Sequence, residues 1–339
     1  MKPIERFAGQ SIRVDPERLW VQREGGLEPL SDSLHARCAD AIVRGEDPAA
    51  TEYHAKSAAH GFRADGRNGA TVIAELLESM RARGYTGSPI SVAINHEGRI
   101  VVTDGLHRAS AHRALVPGKI PATIVYRAER WQALKYALKS LNDERVRLYQ
   151  SIDHPDFDAW ELQRPDTAAR LGLVVDLVRG LPGGVELACN SGVFTCALAR
   201  AGAKMLGLDI DSRAIVVARQ LAEMHTIGAG GGVARFEWCP NPPPIPSADF
   251  VLCLSLFHHF QAKPERAAEG HEIFRRCVAA APLVIFDCAA PGDCVGGDGP
   301  YTDPAAALEW CRASKAPGTG AVLALRGPDL QRTLLVWRR

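Results

Sequence analysis

The chain has 339 residues, 46% of them hydrophobic and 23% charged, with a formal net charge of +1. That length suits two domains of ordinary size, and the composition excludes disorder as the dominant state. The near-neutral charge gives no global attraction to nucleic acid, although the first half is mildly basic and the remainder mildly acidic. No apolar run reaches about 18 residues, so no transmembrane helix is expected. The N-terminal MKPIERFAGQSIRV lacks the apolar core of a signal peptide. The nine cysteines are scattered without a CxxC pair and read as reduced thiols, with no disulfide frame and no metal site. A cytoplasmic location without membrane attachment is the resulting expectation.

In VIAELLESMRARG, Ile73, Leu76, Leu77 and Met80 share one helical face, and Gly84 ends the helix. Ser88-Pro89 opens a strand, ISVAIN; His96-Glu97-Gly98 turns the chain into a second strand, RIVVT, and a hairpin is predicted. Asp104-Gly105 then starts a helix, LHRASAHRAL, which a Pro117-Gly118 breaker separates from the strand IPATIVYR. A helix N-terminus with His107 and Arg108 beside it suits a phosphate, through free N–H groups and charge-assisted hydrogen bonds. Equally, Asp104 can cap that helix while Arg108 pairs with a surface carboxylate. Residues 129–150 predict one charged, amphipathic connecting helix. In Tyr149 to Arg164, His154, Asp156, Phe157 and Trp160 suit either a lid over a cofactor site or packing between domains.

From Gly184 strands and helices alternate: VELAC, FTCALARAG, KMLGLDI, AIVVARQLAEMH, VARFEW, DFVLCLSL, a helix from Pro264 to Ala279, and PLVIFDC. AVLALRG and TLLVWRR close as a hairpin. Strands joined by helical crossovers predict a largely parallel, doubly wound sheet. After VEL, the small residues Ala188, Asn190 and Gly192 alternate in the turn, where bulky side chains would block a ligand approaching the backbone. Asp209 ends the next strand and can accept hydrogen bonds from both hydroxyls of a ribose. DFVLCLSLFHHF delivers Ser255, Leu256, Phe257, His258 and His259 to the carboxyl edge of the sheet. The NPPP at 241–244 reads as a rigid loop, and the glycine run 228–232 as a flexible connection.

The stretch VELACNSG followed by GLDID and LSLFHHF resembles the class I S-adenosylmethionine-dependent methyltransferases over about residues 165–339. The resemblance implies a Rossmann-like fold in which Glu186, Ala188, Asn190, Gly192, Asp209, Ile210 and Ser255 meet the cofactor. Two positions where that family often has glycine are Ala188 and Asn190, both small, and asparagine tolerates left-handed backbone. Where the family often has an acid for the adenine, this chain has FEWCP; Trp238 either stacks on the base or packs structurally. His259 first, and His258 second, are candidates for the base if the acceptor must lose a proton.

Hairpin, D-G-x-H-R, helix and strand over about residues 10–127 resemble the ParB/sulfiredoxin-like fold. That likeness implies an α+β domain binding ATP, ADP or another nucleotide through Asp104, Gly105, His107 and Arg108. Kinase members also carry an N-terminal glutamate, for which Glu24 is the candidate. Leu106 stands where sulfiredoxin has its cysteine, which speaks against sulfinic-acid repair, and no DNA-binding segment follows. The expected organisation is a ParB/sulfiredoxin-like domain at 1–128, a helical linker and lid at 129–164, and a methyltransferase domain at 165–339. The function expected is methylation of a small molecule, phosphorylated or nucleotide-linked, with nucleic acid disfavoured as partner. A small-metabolite kinase with an accessory cofactor-binding half, or a non-catalytic nucleotide sensor, are the competing classes.

Overall fold

The computed structural model describes residues 9–23, 26–59, 67–224, 232–239, 244–290 and 302–339. Its contacts divide the chain into two units, 1–133 with 154–159, and 134–153 with 160–339. The stretch expected to stand apart as a linker and lid is therefore shared out between the two.

The first unit is built on a mixed sheet of β1 (Gln10–Val14), β2 (Leu19–Arg23), β3 (Gly26–Pro29), β4 (Ile90–Ile94), β5 (Ile100–Asp104) and β6 (Ile120–Arg127), ordered β1-β6-β4-β5-β2-β3. The predicted hairpin is the antiparallel pair β4–β5, and β6 runs parallel to β4. Alternation fixes which face is buried: Ile90, Val92 and Ile94 of β4 are all fully enclosed. Helices α1 (Leu34–Val43), α2 (Glu52–Ala59), α3 (Gly69–Arg83) and α4 (Leu106–Leu115) complete the unit. Cys38, Ala39, Ile73, Leu77, Met80 and Ala111 form a core among them. Local chemistry sets the helix ends. Ser33 accepts from the Ala36 N–H at 3.1 Å, Asn68 from the Ala70 N–H at 2.9 Å, and Gly84 stops α3 at φ 69°.

Helix α5 (Glu129–Leu141) is shorter than the expected 129–150. Asp143 and Glu144 adopt left-handed backbone, φ 53° and 61°, and the Glu144 N–H closes on the Lys139 carbonyl at 2.8 Å, ending the helix. The segment 154–159 belongs to the first unit because Asp156 is tied there. Its carboxylate accepts from Arg127 Nε at 2.8 Å, Arg127 Nη2 at 2.6 Å and Trp131 Nε1 at 2.8 Å, and is fully buried. His154 and Phe157 pack their rings on Trp131. These three residues are thus anchors of the first unit, while Trp160 falls in the second unit, where Lys135 lies over its ring.

In the second unit the short pair β7 (Arg147–Leu148) and β8 (Glu161–Leu162) precedes α6 (Thr167–Leu177). Then follow β9 (Gly183–Leu187), α7 (Val193–Arg200), β10 (Lys204–Asp209), α8 (Ser212–Met224), β11 (Val233–Trp238) and β12 (Phe250–Cys253). The chain closes with α9 (His258–Gln261), α10 (Ala267–Ala280), β13 (Leu283–Cys288), α11 (Pro304–Ala313), β14 (Thr319–Ala324) and β15 (Thr333–Arg338). The sheet order is β11-β10-β9-β12-β13-β15-β14. The first five strands are parallel, and β15 runs antiparallel to both its neighbours, so the closing pair is the predicted hairpin. β12 and β13 are buried at every position and apolar except at Asp287, the pattern of strands covered on both faces. Strand order reverses between β9 and β12, the switch point at whose carboxyl ends open α/β sheets bind ligands.

Glu24, Asn241 to Pro243 and Gly228 to Gly231 lie outside the described residues. None of the eight described cysteines forms a disulfide, and all are buried. Among the described residues no helix is long and apolar enough to cross a membrane.

Candidate functional site

The turn after β9 is built from left-handed backbone. Ala188 has φ 55°, Asn190 φ 50° and Gly192 φ 75°. Outside glycine and asparagine such a conformation is costly, so the turn is held by specific bonds. Gly192 has a further reason to be glycine: a Cβ there would lie 2.6 Å from the Phe236 ring. Being the N-cap of α7, it also offers no side-chain cap, and Glu186 supplies one from β9. Glu186 Oε2 accepts from the Thr195 N–H at 2.9 Å and the Thr195 hydroxyl at 2.5 Å. Burial raises the Glu186 carboxyl to about 7, against the hydrogen bonds from Thr195. Glu186 therefore sits beneath the turn and shapes it.

Asp209, at the end of β10, completes the turn. Its Oδ2 accepts from the Asn190 N–H and its Oδ1 from the Asp211 N–H, both at 2.8 Å. Burial pushes this carboxyl up, and the N–H groups of Asp211 and Asn190 oppose the shift. Above it lies a cavity of about 280 Å³. One side is Leu187, Ala188, Leu208, Asp209, Ile210 and Cys239; the other is Leu256, His259, Phe260, Lys263, Arg266 and Ile273. An apolar slot with one buried carboxylate is what a nucleoside requires, with flat faces against the aliphatic walls and hydroxyls on the acid.

β12 stops at Cys253, short of the expected DFVLCLSL, and the chain turns at Ser255 with φ 59°. The Ser255 N–H donates to Asp287 Oδ1 at 2.7 Å. Of the paired histidines, His259 lines the cavity, whereas His258 is buried with its ring 4.1 Å from that of His259. Partial desolvation, then Arg332, Lys263 and Arg266, lower the His259 imidazole below its usual value, and Asp287 opposes them. Trp238 is 57% exposed, its Nε1 donating to the Ile210 carbonyl at 2.9 Å, at the rim beside the cavity.

The sequence reading thus placed Ala188, Asp209, Ile210 and His259 where they meet at one cavity. It set Leu256 at the carboxyl edge without giving it a role, and gave none to the other lining residues Phe260, Lys263, Arg266 and Ile273, or to Asp287. Asp287 had a readable signal: like Asp209, it is an acid at the carboxyl end of an apolar strand.

In the first unit, Gly105 (φ 86°) is the N-cap of α4 and carries no side-chain cap, so Asp104 does not close that helix. Asp104 instead pairs with Arg108 at 3.0 Å, and Arg108 also donates to the Ser88 and Pro89 carbonyls. His107 Nε2 and the Tyr53 hydroxyl are 2.8 Å apart. The His35 ring lies 5.1 Å from that of His107, and burial, with His107 and Arg23, lowers His35 to about 3.

The second unit is a doubly wound sheet with a cavity at its switch point, the place where open α/β sheets bind ligands. Residues 185–278, all within the second unit, match the family model described as a methyltransferase domain. The O-antigen chain terminator bifunctional methyltransferase/kinase WbdD of Escherichia coli is 30% identical over 131 residues, 36% of this chain and 18% of that protein. The chain therefore spans under a fifth of that relative's length. A solved structure of the bifunctional kinase-methyltransferase WbdD aligns with 59% of this chain and 46% of its own, at 25% identity and TM-score 0.46. Magnesium protoporphyrin IX methyltransferase ChlM from Synechocystis PCC 6803 with bound SAH aligns with 51% of this chain and 84% of its own, at 17% identity and TM-score 0.42.

Proposed function

We propose that the second unit binds S-adenosyl-L-methionine in the cavity above Asp209 and methylates a small-molecule acceptor. The observation that carries this reading is the pairing of Asp209 with the left-handed turn 188–192. A buried carboxylate there is locked by backbone N–H groups while its cavity side remains open to hydroxyl donors. The residues fit the cofactor. Asp209 holds the ribose, Leu187, Leu208, Ile210 and Leu256 cover the base, and Ala188 lets the chain approach. When bound, the cofactor supplies an electrophilic methyl group. The protein's part is alignment of the acceptor and exclusion of water. His259 is at the wall with a lowered pKa, so it is neutral at pH 7 and takes the proton of an acceptor that must lose one. Denaturing mass spectrometry of the purified protein tests this: release of S-adenosylmethionine or its demethylated product supports the reading. Absence of both, together with no uptake of either when added, contradicts it.

A second ligand in the first unit is favoured by one observation, the uncapped N-terminus of α4 at Gly105 with His107 in its first turn. In this reading a nucleotide phosphate docks there, and a kinase or a nucleotide sensor are the two uses for it. ADP binding lost in His107→Ala supports the site. ATP turnover distinguishes kinase from sensor.

A further inference from the structure

Asp287 is the penultimate residue of β13, at the carboxyl edge of the sheet, its side chain wholly enclosed. Oδ1 accepts from the Ser255 N–H at 2.7 Å and from Arg332 Nη1 at 3.2 Å; Oδ2 accepts from Arg170 Nη1 at 3.2 Å. Arg170 is itself fully buried, with Nε 3.3 Å from Asp166 Oδ1, while Asp166 Oδ2 accepts from the Gln331 N–H at 3.0 Å. One closed ionic lattice thus joins the start of α6, the turn after β12, the end of β13 and the entry to β15. Burying two guanidinium groups and two carboxylates costs more desolvation than an apolar core of the same volume, so stability alone does not account for it.

Asp287 is bonded to the backbone N–H of Ser255, which holds a left-handed conformation unfavourable for serine. The residues that follow, Leu256, His259 and Phe260, form a wall of the cavity. We infer that Asp287, clamped between Arg170 and Arg332, is a positioning residue that fixes the 255–259 turn and with it the place of His259, without touching a ligand. Its consequence for catalysis rests on the methyltransferase reading; the geometry of the turn does not. The groups facing His259 are Lys263 and Arg266 between α9 and α10, Arg332 before β15, Asp287 on β13, and the ring of His258. Asp287 and Arg332 act on the imidazole with opposite sign, as their charges require.

The test is an NMR titration of the His259 imidazole in the full chain, paired with calorimetric binding of S-adenosylhomocysteine. Asp287→Asn lowers the His259 pKa and Arg332→Met raises it, each by about half a unit or more. Asp287→Asn also weakens binding by about tenfold, since it loosens one wall. Adding Ser255→Gly to that variant recovers part of the loss, because glycine adopts the turn without being held. Shifts of the same sign in both variants, no shift, or no recovery with Ser255→Gly overturns the inference. If Asp287→Asn does not fold, Arg332→Met decides alone: an upward shift supports the inference and any other result overturns it. Wild-type protein that fails to bind S-adenosylhomocysteine contradicts the methyltransferase reading instead, and leaves the titration to decide the positioning role.

Discussion

Glu186 and Asp209 stand on neighbouring strands, and both carboxyls are raised by burial, but they face different tasks. Glu186 is sealed beneath the turn, and its shift to about 7 is a statement about stability. A carboxyl whose folded pKa exceeds its unfolded value favours the fold while protonated. Its contribution is complete at acid pH, below about 4.5, and is lost as pH rises through about 7. The melting temperature therefore contains a downward component across that window, and in Glu186→Gln, which keeps an oxygen acceptor for Thr195, this component disappears. Thermal unfolding of both proteins at a series of pH values checks it. Asp209 faces the cavity, and its ionised form is the better acceptor for ribose hydroxyls. Cofactor affinity should thus fall as pH drops through its raised pKa, and binding calorimetry between neutral and mildly acid pH reads the effect.

At the scale of elements, the turn between β9 and α7 sets three left-handed residues, Ala188, Asn190 and Gly192, at alternate positions. Gly192→Ala places a Cβ 2.6 Å from the Phe236 ring at a φ of 75°, and the expected cost is about 1–3 kcal/mol. Urea denaturation measures it, and binding of the cofactor product should weaken in parallel because Asn190 and Asp209 share the turn. The sheet of the second unit was legible because its inner strands are buried on both faces and its crossovers are helical, so apolar runs and amphipathic periods alternate in plain view. Ala188, Asn190 and Asp209 were legible because small residues and a strand-end acid have few other reasons to stand there. The far wall was not. Leu256, Phe260 and Ile273 carry no chemistry that separates a cavity lining from a core, and the direction in which they face depends on how Ser255 turns the chain. The end of α5 was hidden for a related reason: Asp143 and Glu144 suit a charged helix face, and only the observed left-handed geometry shows them ending it.

At the scale of the molecule, the chain leaves the first unit after Ala133, returns for residues 154–159, and leaves again. Composition allowed two domains and the motifs set the stretch 129–164 between them, with no sign of this return, which depends on a tertiary ion pair. Asp156 is what fastens the returning segment, and removing it takes the carboxylate from the buried Arg127 guanidinium. Asp156→Ala should destabilise the first unit by about 3–5 kcal/mol, seen as a lower first transition in calorimetric unfolding, with cofactor-product binding in the second unit retained. The mildly basic first half and mildly acidic second half now correspond to two units with separate candidate ligands. Titration of the purified chain with S-adenosylhomocysteine, beside Asp209→Ala shown to be folded, is the most direct measurement. Saturable one-site binding in the wild type, weakened by more than about tenfold in the variant, is expected. No binding by the folded wild type, or equal binding by both proteins, would contradict a cofactor site at Asp209.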